Sequence, residues 1–173
     1  MTTYRVSQDG LVTGVSIVSG LVLVALAVSF GVAALSGRAA GWYRTVYLVV
    51  SVCAIGLLLG TWAYHPQGYE FADHALLVRR PAGAVVLPLD DVRSVRADPT
   101  PFAGSVRVAG NGGLFGFWGR FYSQRLNRFT AYATRRDRGV VLDLGDRRIV
   151  VTPDEPDRLV ADITRRVAAQ PAG

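Results

Sequence analysis

The chain contains no lysine, one cysteine and two histidines among its 173 residues. Without lysine it cannot form the phosphate-binding P-loop, which requires a lysine after its glycines. Cys53 has no partner for a disulfide within the chain, and its apolar surroundings predict a small packing residue in a helix. His65 and His74 do not have the spacing of paired zinc ligands on a helix. These absences disfavour a metal site and exclude a P-loop.

Other catalytic motifs are also missing. No serine lies in the GxSxG motif of the hydrolases. The glycine-rich stretch Gly110–Gly116 lacks the GxGxxG spacing, and no βαβ unit with an acidic residue follows it. The carboxylates of Asp90, Asp91, Asp143 and Asp146 are interpreted as turn and strand-edge residues. The sequence therefore predicts no catalytic residue, no cofactor and a protein that is not an enzyme.

All 19 basic residues are arginine, and the net charge is +6. Coding bias in a GC-rich genome is one explanation, and recognition of phosphate or carboxylate groups is the other, since guanidinium binds both bidentately. Six arginines cluster in one segment, either as a solvated face or as a basic patch for lipid headgroups or an acidic partner. The candidate patch comprises Arg120, Arg125, Arg128, Arg135, Arg136 and Arg138. Nucleic acid is not expected as a partner, because no recognised motif accompanies the charge.

Two long apolar runs lie before residue 65. Leu11–Leu35 has no charge and is long enough to span a bilayer, whereas Val46–Tyr64 is near the minimum length. The first run exceeds the apolar core of a secretory signal peptide, and a second run follows directly. The sequence therefore predicts two transmembrane helices, at about residues 11–35 and 46–64, joined by a tight polar hairpin at Ser36–Thr45.

Aromatic residues at both ends of the second run match the interfacial belt of membrane proteins. The predicted interface residues are Trp42, Tyr43, Trp62 and Tyr64. The balance of arginines does not decide the orientation, because Arg38 and Arg44 in the hairpin are matched by Arg5, Arg79 and Arg80 on the other side. We expect a multi-pass protein of the cell membrane with both termini and the soluble domain in the cytoplasm, since no signal requires export of the domain.

Small residues occur in both apolar runs. Gly56 and Gly60 form a GxxxG motif in the second run, and Gly14 and Gly20 lie in the first. Such residues allow helices to approach closely, either within the hairpin or between chains, and the alternative is that glycine is simply common in membrane helices. Packing within the hairpin is slightly favoured.

The sequence after residue 65 predicts a strand-rich domain. Strands are predicted at residues 69–80, 84–89, 105–108, 121–122, 128–134, 139–144 and 147–152, with a brief turn leading into a strand at 90–97. Gly145-Asp146 suits a two-residue hairpin turn. Thr152–Glu155 has the pattern of a capping box. Beyond it, Leu159, Val160, Ile163 and Val167 share one helical face.

This order predicts an α+β fold. Residues 1–65 form the transmembrane hairpin, and residues 66–173 form a curved antiparallel sheet or barrel with one helix closing its open end. Within the strand-rich domain, the glycine and aromatic residues of Gly110–Gly119 are interpreted as a bulged or tight strand crossing. Their aromatic side chains then pack inward or onto the membrane face, and a ligand-contacting loop is the alternative.

The soluble part resembles the bacterial pleckstrin-homology-like (PH-like) domains found behind one or two membrane helices. The resemblance rests on Tyr69 at the start of the first strand, LPLDDVRSVR at Leu87–Arg96, GNGGLFGFWGRF at Gly110–Phe121, and the ending from Arg128 to Ile163. It covers about residues 46–168 and implies a PH-like barrel capped by a C-terminal helix. Eukaryotic PH domains often bind phosphoinositides through basic residues on the first hairpin, where this chain has only Arg79 and Arg80.

Together these patterns predict a membrane-anchored, non-catalytic interaction module. Its expected partners are the lipid bilayer, a protein partner or second copy of the chain, and anionic lipid headgroups. The alternative is an accessory or assembly subunit of a larger membrane complex, with the transmembrane helices as the interface.

Overall fold

The computed structural model describes residues 3–37, 41–72 and 74–169. The helices are α1 (Gly10–Leu35), α2 (Trp42–Tyr64) and α3 (Pro156–Ala168). The strands are β1 (Thr3–Tyr4), β2 (Gly68–Ala72), β3 (Ala75–Arg79), β4 (Val85–Pro88), β5 (Ser94–Asp98), β6 (Val106–Gly112), β7 (Phe117–Ser123), β8 (Asn127–Ala133), β9 (Gly139–Asp143) and β10 (Arg148–Val151). The predicted order of two helices, a strand-rich domain and a C-terminal helix is confirmed.

The two N-terminal helices are long enough and apolar enough to cross a membrane. Asp9 caps α1, because its Oδ1 accepts a hydrogen bond from the backbone N–H of Val12 at 2.6 Å. The second helix begins four residues earlier than predicted, so Trp42 and Tyr43 lie in its first turn instead of preceding it. A short uncharged run marks only the apolar part of a helix, which continues through Arg44 at its polar end. Arg38 of the predicted hairpin lies outside the described residues.

The helices α1 and α2 pack side by side. The Ser51 hydroxyl donates to the Ala27 carbonyl at 3.0 Å, and a Cβ at Gly31 would lie 3.5 Å from that hydroxyl. In contrast, a Cβ at Gly56 or Gly60 would meet nothing within 4 Å. The prediction that this GxxxG motif packs within the hairpin is therefore wrong, since the motif faces away from α1.

The strands form two sheets, ordered β1-β2-β3-β4 and β5-β9-β10-β8-β7-β6. The described strands of the two sheets do not hydrogen-bond to each other, so the fold is an open PH-like arrangement and not a closed barrel. All pairs are antiparallel except β8 and β10, which run parallel. The reason is that the tight turn between β9 and β10 folds β10 back between β9 and β8.

Two local predictions are wrong. The strand predicted at residues 69–80 is a hairpin of β2 and β3, and His74 lies in its turn. The apolar residues on both sides concealed the reversal. The capping box is also wrong, because α3 begins at Pro156 with Glu155 as its N-cap. The Thr152 hydroxyl instead accepts from the Thr134 N–H at 2.9 Å in the interior.

The N-terminal segment joins the domain, which the sequence did not predict. Strand β1 pairs antiparallel with β2, with Tyr4 opposite Tyr69. Tyr4 is 3% exposed, and its hydroxyl donates to Asp162 of α3. The Asp154 N–H donates to the carbonyl of Arg5 at 3.1 Å. The chain therefore enters α1 directly from the sheet. The domain division at residues 65/66 stays a prediction.

The domain contains two apolar clusters. Ile149 and Val151 of β10 belong to the first cluster and Val150 to the second, so the clusters lie on opposite faces of the larger sheet. The first is covered by α3, whose Leu159 and Ile163 are fully buried as the helical pattern predicted. The second is built from Phe102, Phe117, Phe121, Phe129 and neighbouring aliphatic residues, and it includes Val12 of α1. The first turn of α1 therefore belongs to the domain core.

Candidate functional site

The glycine and aromatic residues of Gly110–Gly119 form the hairpin between β6 and β7, here called the glycine–aromatic hairpin. Its turn is closed by a hydrogen bond from the Gly113 N–H to the Gly116 carbonyl at 3.0 Å. The Asn111 side chain donates to the carbonyls of Leu114 and Gly116 from inside the turn. This bonding holds Phe115 in a left-handed backbone conformation, with φ of 62°. The turn is therefore a defined structure, with a half-buried Phe115 at its tip.

The two strands of this hairpin cross closely at Gly110 and Gly119. Both residues have positive φ, at 108° and 117°. A Cβ at Gly110 would lie 2.2 Å from the Trp118 carbonyl oxygen, and one at Gly119 would lie 2.3 Å from the Ala109 carbonyl oxygen. Only glycine fits at either position. A register shift between Arg107 and Ala109 precedes the crossing, so the bulged or tight approach predicted here is confirmed.

The glycine–aromatic hairpin binds the first turns of α1. The Ser16 hydroxyl accepts from the Phe115 N–H at 2.7 Å and donates to the Gly113 carbonyl at 3.3 Å. A Cβ at Gly113 would lie 3.2 Å from Val15 Cγ1, so the hairpin backbone packs closely against the Val15 side chain. Ser16 is buried by this contact. One hydroxyl in an apolar helix thus satisfies two backbone groups of the hairpin.

The same hairpin also contacts the end of α2. The rings of Trp118 and Tyr64 lie 5.4 Å apart, and those of Phe115 and His65 lie 6.1 Å apart. The Arg80 guanidinium stands over the Tyr64 ring at 5.3 Å. The domain therefore meets both long helices at the same end of the helix pair, where α1 begins and α2 finishes.

The predicted interface aromatics lie at the two ends of α2. Trp42 and Tyr43 are exposed at its start, with ring centroids 4.2 Å apart. Trp62 and Tyr64 are exposed at its end beside the domain. Twenty residues separate Trp42 from Trp62, which corresponds to about 30 Å along a helix.

Arg135 of the predicted basic patch has a structural role. It is 9% exposed, and its guanidinium binds both carboxylate oxygens of Asp137, at 2.7 and 3.0 Å. Its Nη1 also donates to the Ser7 hydroxyl at 3.1 Å. The hydrogen bond from Arg135 lowers the pKa of Asp137, and the same bond raises the pKa of Arg135. This pair ties the N-terminal segment to the loop between β8 and β9.

Three more of the predicted arginines are also held in local contacts. Arg125 pairs with the buried Asp98 at 2.8 Å, and Arg138 lies 3.4 Å from Asp137. The backbone N–H of Arg136 donates to Asp9 Oδ2 at 3.1 Å, beside the start of α1. The Arg136 guanidinium stands 5.5 Å from the centre of the Phe117 ring.

The remaining two, Arg120 and Arg128, line an open cleft of about 330 Å³, here called the arginine cleft. Arg147 and Arg148 line it too, although the sequence did not single them out. Arg147 ends the turn after β9 and Arg148 begins β10, and their approach to Arg128 depends on the parallel pairing of β10 with β8. The arginine cleft therefore contains two of the six predicted arginines.

Arg148 differs from the other arginines of the cleft because it is paired. Its Nε donates to Asp143 at 2.9 Å, and its Nη1 donates to the Leu126 carbonyl at 2.9 Å. The hydrogen bond from Arg148 is the largest cause of the lowered pKa of Asp143, followed by that from the Gly145 N–H. Asp143 is thus a strand-edge residue of the β9–β10 hairpin, as predicted.

The two tyrosines with shifted pKa values are core anchors. Burial raises the pKa of Tyr69, whose hydroxyl donates to the Tyr132 carbonyl at 2.5 Å and accepts from the Thr152 N–H at 2.9 Å. Burial, followed by the hydrogen bond to Asp162, raises the pKa of Tyr4 to about 12. Within the described ranges, no three His, Cys, Asp or Glu side chains are grouped as metal ligands would be.

Comparison with known proteins gives one finding. A family model described as bacterial PH domain matches residues 67–167, which is more than half of the chain. The match starts just after α2 and ends within α3, so it includes the glycine–aromatic hairpin and the arginine cleft. No curated protein and no solved structure matches the chain.

Proposed function

Because the chain belongs to the bacterial PH domain family, we propose that it is a membrane-anchored, non-catalytic interaction module whose domain is fixed at the lipid surface. Domains of the PH class are generally interaction modules. The partner in this proposal is a protein or an anionic lipid surface. The two N-terminal helices are the anchor, at residues 10–35 and 42–64.

The observation that carries this proposal is the exposure of apolar side chains on both long helices. Leu21 of α1 is 66% exposed and Val52 of α2 is 67% exposed, and large apolar neighbours are exposed on the same helices. Continuous apolar surfaces of this kind are rare on monomeric soluble proteins. In a bilayer the lipid tails would cover them.

The positions of the aromatic residues agree with a bilayer. Trp42 and Trp62 lie about 30 Å apart along α2, which is the thickness of a typical hydrocarbon core. Tryptophan and tyrosine favour both membrane–water interfaces. On this placement the Trp62 end lies beside the PH-like domain, and the Trp42 end lies at the opposite interface.

The glycine–aromatic hairpin would then lie in the headgroup layer. Ser16 is six residues beyond the start of α1, which places its contact with Phe115 about 9 Å along the helix. The headgroup region on each side of a bilayer is about 5–8 Å thick. The contact with Phe115 therefore reaches the boundary between headgroups and acyl chains.

Basic side chains on this side favour anionic lipid. Arg80 lies over Tyr64 at the end of α2, and Arg136 lies beside Asp9 at the start of α1. Each arginine near an anionic surface contributes about 1 kcal/mol. Since α1 begins and α2 ends at the domain, β1 and the PH-like domain share one side of the membrane, which we propose to be the cytoplasmic side of the cell membrane.

This function is tested with the full chain in cells. Alkaline carbonate should leave the protein in the membrane fraction, and added protease should cleave the domain in inverted vesicles but not in intact spheroplasts. Release into the carbonate supernatant would exclude the integral anchor. Cleavage in intact spheroplasts would place the domain outside and refute the cytoplasmic assignment alone.

A second candidate function is an accessory subunit of a larger membrane complex. The outward-facing Gly56 and Gly60 favour it, because a small-residue face lets a further helix approach closely. Leucine at both positions would fill space that is open in this chain, so the fold should persist while a helix partner is displaced. Crosslinked or co-purified species that survive the double Gly56→Leu, Gly60→Leu variant would argue against this interface.

A further inference from the structure

The arginine cleft is a concave site separate from the helix contacts. Its volume of about 330 Å³ falls at the small end of the range for ligand pockets. Its polar side chains are those of Arg120, Arg128, Thr130, Asp146, Arg147 and Arg148. We propose that this cleft binds a phosphate-bearing ligand.

The sheet itself brings the basic groups together. Arg120 of β7 is directly opposite Thr130 of β8, and Tyr122 is opposite Arg128. Residues two apart on a strand share a face, so Arg120, Arg128 and Thr130 lie on one face of the sheet. The β9–β10 turn adds Arg147 at the end of this face. Three guanidinium groups thus reach one cleft from three different strands or turns.

The charges in the cleft match a phosphate. Arg120, Arg128 and Arg147 form no ion pair with any residue in the described ranges, whereas Asp143 neutralises Arg148. Asp146 is the acidic residue of the lining, which leaves a local excess of about two positive charges. A phosphate monoester carries about −1.5 to −2 at pH 7, and guanidinium binds it bidentately. A single carboxylate would leave part of this charge uncompensated.

The position of the cleft favours a soluble ligand. Trp118 of β7 contacts Tyr64 at the end of α2. Along β7, Arg120 lies about 7 Å from Trp118, and Tyr122 lies about 14 Å from it. Where β7 leads away from the bilayer, Tyr122 and the Arg128 opposite it lie beyond a headgroup layer of about 5–8 Å, whereas Arg120 lies at its outer limit. The same phosphate chemistry could be supplied by a lipid headgroup, and the test separates these two sources.

The test uses the full chain in nanodiscs of neutral phosphatidylcholine and inorganic pyrophosphate as the probe, measured by titration calorimetry at fixed ionic strength. We expect saturable binding at one site per chain. Arg128→Gln should weaken it about ten-fold or more, because it removes a charge-assisted hydrogen-bond donor. Arg96→Gln removes the same charge from exposed β5 at the opposite edge of the sheet and should change affinity less than two-fold.

Two results would overturn the site. One is the absence of saturable pyrophosphate binding at millimolar concentrations, and the other is an equal loss in Arg96→Gln and Arg128→Gln, which would indicate diffuse charge attraction. An unchanged melting temperature in both variants shows that the fold is retained. If an oligoglutamate peptide displaces pyrophosphate at lower concentration, the cleft is instead a surface for acidic protein segments and the proposal fails.

The lipid composition of the nanodisc separates the sources of phosphate. With a soluble ligand, replacing a third of the neutral lipid by phosphatidylglycerol should leave pyrophosphate affinity within about two-fold once ionic strength is matched. If phosphatidylglycerol weakens pyrophosphate binding to the wild type but not to Arg128→Gln, the lipid headgroup occupies the cleft. The ligand would then be a lipid, and the assignment to a soluble ligand would be overturned.

Discussion

The Ser16→Ala substitution tests whether the PH-like domain is fastened to the helix pair. The Ser16 hydroxyl accepts from the Phe115 N–H at 2.7 Å and donates to the Gly113 carbonyl at 3.3 Å. Removing it leaves a half-buried N–H without its acceptor, which costs about 1–3 kcal/mol. Because 1.4 kcal/mol corresponds to a factor of ten, we expect local opening of the hairpin to increase about 5- to 150-fold.

Hydrogen exchange of the full chain in nanodiscs measures this opening. The amides of residues 113–118 should exchange faster in Ser16→Ala, while those of β9 and β10 should keep their wild-type rates. Ser36→Ala is the matched control, since its hydroxyl donates to the Ala33 carbonyl at the exposed far end of the same helix, away from the glycine–aromatic hairpin. Unchanged exchange at residues 113–118 in Ser16→Ala would show that α1 does not hold the glycine–aromatic hairpin, and would refute the claim that the domain is fastened to the helix pair through Ser16.

Two further predictions concern the interior of the domain. Gly119→Ala should destabilise the protein by about 2–5 kcal/mol, because its Cβ would lie 2.3 Å from the Ala109 carbonyl oxygen at a positive φ. The control is Gly112→Ala, whose Cβ would have its nearest contact at 3.5 Å and which should lower the free energy of unfolding by less than about 1 kcal/mol. Chemical unfolding measures both variants, and equal losses of stability in Gly119→Ala and Gly112→Ala would contradict the close crossing of the strands. Because the pKa of Tyr4 is raised to about 12, its contribution to stability is intact below pH 10 and is lost as the pH rises toward 12. The melting temperature of Tyr4→Phe should therefore fall less steeply than that of wild type over this range, and parallel curves would disprove the assignment.

Much of the fold follows from local sequence. The absence of charge from residues 11–35 predicts α1 almost to its ends, and Gly145-Asp146 predicts the β9–β10 hairpin. The spacing of Leu159 and Ile163 predicts the buried face of α3. In each case neighbouring residues contain the signal, either through apolar periodicity or through turn chemistry.

Other elements depend on contacts between distant parts of the chain. Strand β1 has two residues and precedes an apolar helix, so nothing local indicates that Tyr4 pairs with Tyr69. The Thr152 hydroxyl resembles a helix cap in sequence, but it is used by Thr134 across the sheet. Such long-range pairings are decided by the packed sheet and not by the residues beside them.

The candidate sites also depend on long-range contacts that neighbouring residues do not predict. Six neighbouring arginines predict one basic patch, yet the fold places Arg135 in an ion pair with Asp137 and leaves Arg120 and Arg128 in the cleft. Proximity in sequence does not separate arginines that are neutralised from those that stay free. The glycine–aromatic hairpin was recognisable from its composition, but its bond to Ser16 joins residues about one hundred positions apart.

The depth of Cys53 tests the membrane anchor most directly. This single cysteine is exposed on α2 and lies eleven residues from both Trp42 and Tyr64, or about 16 Å from each end. A spin label on Cys53 should therefore lie near the centre of a bilayer whose hydrocarbon core is about 30 Å thick. In nanodiscs, power-saturation electron paramagnetic resonance should show high accessibility to oxygen and low accessibility to a water-soluble nickel chelate. High accessibility to the chelate would contradict the account, because α2 would then lie in water.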